Sequence, residues 1–387
     1  MYTPPDNPLI GIVGSAGAYG QWLRRFFAER MALQVVGSDP ADPASLDLAT
    51  LVARADVLLF AAPIRLTEAL IEQCVALAGG TEAGKLWLDV TSIKQAPVSA
   101  MLRSQADVVG LHPMSAPPKS PTLKGRVMVV CEARLSSAWR PWFERLQAAL
   151  EPTCVQAAPA QHDRVMALVQ SMVHATHLAQ AGVLREQAAV TGDLSALMPF
   201  RSASFEMDAA IISRILSLNP AIYEDIQFGN PHSLEVLQSL LLRLQRLAEL
   251  VASGDEAART AFRQEFLQQN RDTGTAAALA EGNYTFERIG YLLADLGDPL
   301  SVSVHLPEDR PGSLRELLHV FERNGVNITS LHSSRTQAGE VHFRLGFGSQ
   351  TSPGQVQASI HALAEQGIAR VLAGENGVWS ATGVTHS

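Results

Sequence analysis

Short apolar runs punctuate the first part of the chain: Leu9–Val13, Gln34–Gly37, Val57–Ala61, Leu86–Val90, Val108–Leu111 and Arg126–Cys131. Between them lie stretches such as Gln21–Arg30 and Arg65–Leu77, whose apolar residues recur at helical spacing. Runs this short and this apolar suit strands buried on both faces, and their alternation with helices predicts a parallel sheet. In such a sheet ligands bind beyond the carboxyl ends of the strands. The polar residues that follow each run are therefore the first places to look for chemistry.

The first run leads into Gly11-Ile12-Val13-Gly14-Ser15-Ala16-Gly17-Ala18-Tyr19-Gly20 and then a helix. A glycine-rich turn from strand to helix lets backbone N–H groups approach a pyrophosphate at the helix start. The spacing is GxxGxxG, with Ser15 where GxGxxG has its first glycine. Asp39 follows the second run, 19 residues beyond Gly20, near the spacing of a carboxylate that holds the adenosine ribose. No arginine adjoins Asp39 to receive a 2′-phosphate, so NAD is expected over NADP. Residues 1–158 are read as a Rossmann-like NAD-binding domain, with Gly14, Ser15, Ala16, Gly17, Ala18, Tyr19, Gly20 and Asp39 at the cofactor.

From about Ala160 the strand signal disappears. Leu237, Leu240, Leu241, Leu244, Leu247 and Val251 keep i, i+3, i+4, i+7 spacing behind Asn230-Pro231, read as N-cap and first helical residue. So leucine-rich a helix needs cover, within its own domain or from a second subunit. Residues 159–296 are assigned to an all-α substrate and dimerisation domain. After Gly297-Asp298-Pro299 the pattern becomes β-α-β-β-α-β: Leu300–Leu306, Pro311–Asn324, Asn327–Ser333, Glu340–Phe347 and Ser352–Gln366 before a last strand. That order is ferredoxin-like and occupies residues 299–375. A net charge of −8 without basic runs argues against nucleic acid or an anionic membrane as partner. The three dispersed cysteines suit a reducing compartment, and no apolar run reaches membrane-spanning length, so a cytoplasmic location is expected.

Two strand ends carry polar clusters, Leu88-Asp89-Val90-Thr91-Ser92-Ile93-Lys94 and Gly110-Leu111-His112-Pro113-Met114. His112 suits proton transfer near neutral pH, in a group titrating near about 6.5, and Ser92 and Lys94 suit an anionic substrate. In the helical part, Gln170, His174 and His177 share a face, but no carboxylate or cysteine joins them at that spacing, so no metal is expected. Arg214 stands in an apolar helical stretch before Tyr223. There it is either a snorkelling surface charge or, facing a cleft, a carboxylate clamp.

Taken in order, the glycine turn, Asp-Val-Thr-Ser-Ile-Lys, Gly-Leu-His-Pro-Met, His162-Asp163 with His174, and Arg214 with Tyr223 resemble the prephenate dehydrogenase family from about Leu9 to Ala294. The resemblance implies NAD-dependent oxidative decarboxylation of prephenate to 4-hydroxyphenylpyruvate in tyrosine biosynthesis, by a homodimer. Arogenate or dual-substrate activity is the alternative, and a catalytically silent amino-acid sensor another. It implies His112, Ser92 and Arg214 as catalytic residues. The same resemblance implies that Lys94, His174 and Tyr223 line the substrate pocket and that Asp163 supports it. Ser115-Ala116 departs from the family's usual continuation after His-Pro-Met. Leu306–Leu314 with Asn324–Ile328 resembles an ACT domain, which implies feedback by an aromatic amino acid, tyrosine above all, bound near Asp309, Gly312 and Asn327.

Overall fold

The computed structural model describes residues 4–297, 300–308, 310–335 and 341–371. The chain divides into two compact units, Met1–Thr260 and Ala261–Ser387. Helices fill the whole span expected of the middle domain, yet those after Thr260 group with the C-terminal unit.

The first unit is built on a seven-stranded sheet, β1 (Ile10–Val13), β2 (Val35–Ser38), β3 (Val57–Phe60), β4 (Leu86–Asp89), β5 (Asp107–Pro113), β6 (Val127–Arg134) and β7 (Thr153–Gln156), in the order β2-β1-β3-β4-β5-β6-β7. Strands β1 to β5 pair in parallel; β6 runs antiparallel to β5. That reversal departs from an all-parallel sheet. β7, whose residues are exposed, carries too little apolar signal to be read as a strand. Around the sheet run α1 (Ala18–Arg25), α2 (Leu48–Arg54), α3 (Ile64–Ala78), α4 (Gln95–Met101) and α5 (Arg140–Leu150). One core joins α1 and α5 to the sheet through Trp22, Phe27, Trp139, Trp142 and Phe143; the other joins α2, α3 and α4 through Leu51, Ile71, Val98 and Met101. Successive strand residues face opposite sides. Val109 and Leu111 therefore enter the first core, while Val108 enters the second and Gly110 faces Val98 of α4; by the same alternation His112 lies on the side of Val108 and Gly110.

The helical half begins with α6 (Pro159–Met166), widens into a π-helical turn at Ala167–Met172, and continues as α7 (Val173–Thr191). Then come α8 (Leu194–Leu197), α9 (Ala203–Ser217), α10 (Pro220–Gly229), α11 (Ser233–Ser253) and α12 (Glu256–Phe262). α11 starts at Ser233, two residues later than the Asn230-Pro231 signal implied. Asn230 instead ends α10, accepting from the His232 N–H and donating to the Asp163 carbonyl. Within one chain the leucine stripe is only partly covered: Leu237, Leu240 and Leu247 are half-buried, but Leu241, Leu244 and Val251 are more than half exposed, as are Leu234 and Leu242 beside them.

The C-terminal unit holds α13 (Ala276–Gly297) and then β8 (Ser301–Leu306), α14 (Ser313–Arg323), β9 (Ile328–Arg335), β10 (Val341–Phe347), α15 (Pro353–Glu365) and β11 (Arg370–Val371). The antiparallel order β11-β8-β10-β9 is that of a ferredoxin-like module, with Val302, Val304, Leu317, Phe321, Leu345 and Ile360 in its core. Gly312 precedes α14 at φ +101°, a left-handed conformation that suits glycine, and Asn327 is exposed. Asp309 lies outside the described residues.

Candidate active site

The glycine turn lies where the strand order reverses about β1 and β3. Gly14 has φ +82°, and a Cβ there would stand 2.8 Å from the Ala61 carbonyl oxygen at the end of β3. Ser15 is fully buried, and it fits because β2 has Gly37 opposite: a Cβ on Gly37 would overlap the Ser15 side chain. The missing glycine of the GxGxxG pattern has in effect moved to the neighbouring strand. α1 then starts at Ala18 with no side-chain cap and no acidic residue in its first turn, and Gly17 and Ala18 are exposed. An uncapped helix start beside a glycine turn suits a pyrophosphate. The Asp39 carboxylate accepts from Ala16 N–H at 3.0 Å and Ala41 N–H at 2.9 Å. Two such bonds leave a carboxylate with lone pairs for a ribose hydroxyl. The Tyr19 side chain points away from the turn and donates to the Ser115 carbonyl at 3.0 Å. It thereby ties α1 to the Ser115-Ala116 continuation of the catalytic strand. Burial raises the Tyr19 pKa further above its usual value, so the hydroxyl stays protonated.

At the end of β4, Asp89 accepts from the Thr91 N–H and hydroxyl and from Lys94 Nζ. Lys94 also donates to the Leu111 carbonyl at 2.8 Å, next to His112. Lys94 was expected in the substrate pocket, but its side chain has no exposed surface. Its ammonium is consumed by the carboxylate and carbonyl that shape the two strand ends. Gly110 makes room for it: a Cβ there would lie 3.0 Å from Lys94 Cδ and 2.8 Å from Val98 Cγ2. Ser92 is half-buried in the loop from β4 to α4, between Thr91 and Ile93 and three residues beyond Asp89, which pairs with Gly110 in the sheet.

Helix α6 closes over this floor. The Asp163 carboxylate accepts from Lys94 N–H at 2.7 Å and Gln95 N–H at 2.9 Å, at the uncapped start of α4. His162 Nδ1 lies 2.7 Å from Asp163 Oδ1, and His162 Nε2 lies 2.8 Å from His112 Nδ1. On the other side of the His112 ring, Gln170 Nε2 is 3.3 Å from His112 Nε2. Gln170 belongs to the π-helical turn, a helix irregularity common at functional sites. Burial, and then the fields of His162 and Lys94, push the His112 pKa well below its ordinary value of about 6.5. A neutral imidazole is thus favoured over an imidazolium. This revises the expectation of a group titrating near 6.5.

One helical turn beyond Gln170, His174 packs edge-on against Tyr223 of α10, ring centroids 4.9 Å apart. Burial, then His177 and Arg214, lower the His174 pKa. Arg214 is exposed on α9 and forms no ion pair with any described residue. His177 is occupied elsewhere, by the Val173 carbonyl and Asp208. His174, Tyr223 and Arg214 thus act on one another among the helices, one turn beyond the Gln170 that meets His112. His162 and Gln170 were not picked out as site residues from the sequence. The His162-Asp163 doublet was the available signal, but the distance from His112, 50 residues along the chain, hides the contact.

Three family models match the chain. Residues 37–153 match the model of the prephenate dehydrogenase nucleotide-binding domain, 158–266 that of the prephenate dehydrogenase dimerization domain, and 300–365 that of the ACT domain. A 4-amino-4-deoxyprephenate dehydrogenase of Streptomyces pristinaespiralis is 30% identical over 262 residues, 63% of this chain and 85% of that protein. A probable arogenate/prephenate dehydrogenase of Methanocaldococcus jannaschii is 26% identical over 266 residues, covering 64% of this chain and only 58% of the relative. Prephenate dehydrogenase from Aquifex aeolicus, solved with hydroxyphenyl propionate and NAD+, shares the fold at a TM-score of 0.54 and 16% identity, over 70% of this chain and 99% of its own. By its two catalytic-half matches, its relatives and its fold, the chain belongs to the prephenate dehydrogenase family and carries an ACT domain after them.

Proposed function

We propose that the protein oxidatively decarboxylates prephenate to 4-hydroxyphenylpyruvate with NAD. The observation that carries this reading is His112: buried, held neutral, and hydrogen-bonded on both ring nitrogens at the end of β5. NAD bound at the glycine turn supplies the hydride acceptor. His112 takes the proton of the substrate's ring hydroxyl as the carbon bearing it becomes a ketone. Arg214 clamps the ring carboxylate and orients the ring, and its loss as CO₂ leaves an aromatic product. His174, Tyr223 and Ser92 line the pocket. Asp39 holds the adenosine ribose, and the absence of an arginine beside it favours NAD over NADP.

A second copy of the chain covers the exposed stripe of α11, which makes the protein a homodimer. The ACT unit binds an aromatic amino acid, tyrosine first, at the Gly312 and Asn327 end and inhibits. Arogenate is the competing substrate, and the archaeal relative's name includes both. Initial rates of NADH formation with prephenate and with arogenate, each with and without tyrosine, test all of this. Turnover of prephenate that tyrosine suppresses is the expected result. NADH formation from arogenate alone would reassign the substrate, and none from either would refute the reading.

A further inference from the structure

We infer that His162 is a positioning residue that, backed by Asp163, selects the tautomer of His112 in which Nε2 is the proton acceptor. The argument runs outward from the carboxylate. Asp163 Oδ1 already accepts from the Lys94 N–H, and Asp163 Oδ2 from the Gln95 N–H, so the carboxylate is bound in its ionised, acceptor-only form. The nitrogen facing it at 2.7 Å, His162 Nδ1, must donate. A neutral His162 then has its lone pair on Nε2. That lone pair meets His112 Nδ1 at 2.8 Å, so His112 Nδ1 carries the hydrogen. The remaining lone pair of His112 is on Nε2, the nitrogen turned toward Gln170 and the helical side of the cleft.

The consequence follows when His112 accepts a proton. The substrate O–H bond breaks, the Nε2–H bond forms, and the positive charge of the ring is shared through Nδ1–H with His162 and its carboxylate. No proton needs to leave the buried chain. His162 and Asp163 are 1% exposed and His112 2%, so water cannot stand in for a lost partner. The tautomer is also tied to the docking of α6, because Asp163 is clamped to the start of α4 by backbone N–H groups. The groups that bear on His112 electrostatically are His162 from α6 and Lys94 from the loop before α4; Asp89 and Asp163 balance Lys94.

The rate arm of the test rests on the proposed reaction; the tautomer arm needs no substrate. Histidine-labelled full-length protein is examined by long-range ¹H–¹⁵N correlation, as wild type, His162→Gln and His162→Leu. The wild type should show His112 as the Nδ1–H tautomer. His162→Gln offers an oxygen acceptor and should keep that tautomer, with kcat within about tenfold of wild type. His162→Leu offers none, so the tautomers should mix, kcat should fall about 10²-fold, and the KM for prephenate should stay within about threefold. An Nε2–H tautomer in the wild type overturns the inference. So does an unchanged tautomer and kcat in His162→Leu. If His162→Leu does not fold, the wild-type spectrum and His162→Gln decide the matter. A wild type that oxidises neither prephenate nor arogenate refutes the proposed function while the spectra still judge the relay.

Discussion

Lys94 offers the sharpest test of how the site is built, because a surface clamp and a buried brace respond oppositely to its removal. Lys94→Met keeps most of the side chain's volume and deletes the ammonium. Asp89 would then keep only the Thr91 N–H at 3.1 Å and the Thr91 hydroxyl at 2.7 Å, inside a site with no exposure. The Leu111 carbonyl would lose its 2.8 Å donor as well. Removing one partner of a buried ion pair costs about 3–5 kcal/mol, because the other charge is left uncompensated. At about 2–4 °C per kcal/mol for a unit of this size, the melting temperature should fall by roughly 6–20 °C. Calorimetry or thermal circular dichroism measures that fall, and KM for prephenate is measured well below the transition. Asp89→Asn/Lys94→Met removes both charges and should recover most of the loss. An unchanged melting temperature with a steep rise in KM would refute the brace and return Lys94 to the substrate.

His112→Asn should lower kcat by about 10²–10⁴-fold while NAD affinity, followed by fluorescence titration, stays near wild type. Arg214→Ala should raise KM for prephenate steeply without lowering the melting temperature, because the exposed guanidinium pairs with no described residue; an unchanged KM would place the carboxylate clamp elsewhere. Gly37→Ala should destabilise by about 1–3 kcal/mol through overlap with Ser15, and Ser15→Gly in the same chain should restore stability in urea unfolding. The pH dependence follows from His112. Its folded pKa is depressed, so below about 6.5 the unfolded chain binds a proton that the native site resists. Stability should therefore decline as pH falls below that value toward the folded pKa, and His112→Asn should flatten the decline. The acid limb of kcat/KM should likewise lie below 6.5.

The sequence alone determined the features that are local in the chain. Apolar runs such as Val57–Phe60 and Leu86–Asp89 are buried along their whole length and became strands within a residue or two of their expected limits, because period and composition act over a few residues. The glycine turn, the placement of His112 at a strand end and the β-α-β-β-α-β order were legible for the same reason. Tertiary structure decided what depends on two distant segments meeting. It turned Lys94 inward, since only the folded sheet shows that Asp89 and the Leu111 carbonyl both lie within its reach. Asn230 passed from helix N-cap to donor for the Asp163 carbonyl, and Gly37 answered the serine at position 15. The pairing of His162 with His112 belongs to that class too. A hydrogen bond is set by a few ångströms in space, and sequence spacing carries no record of it until a helix and a sheet have packed.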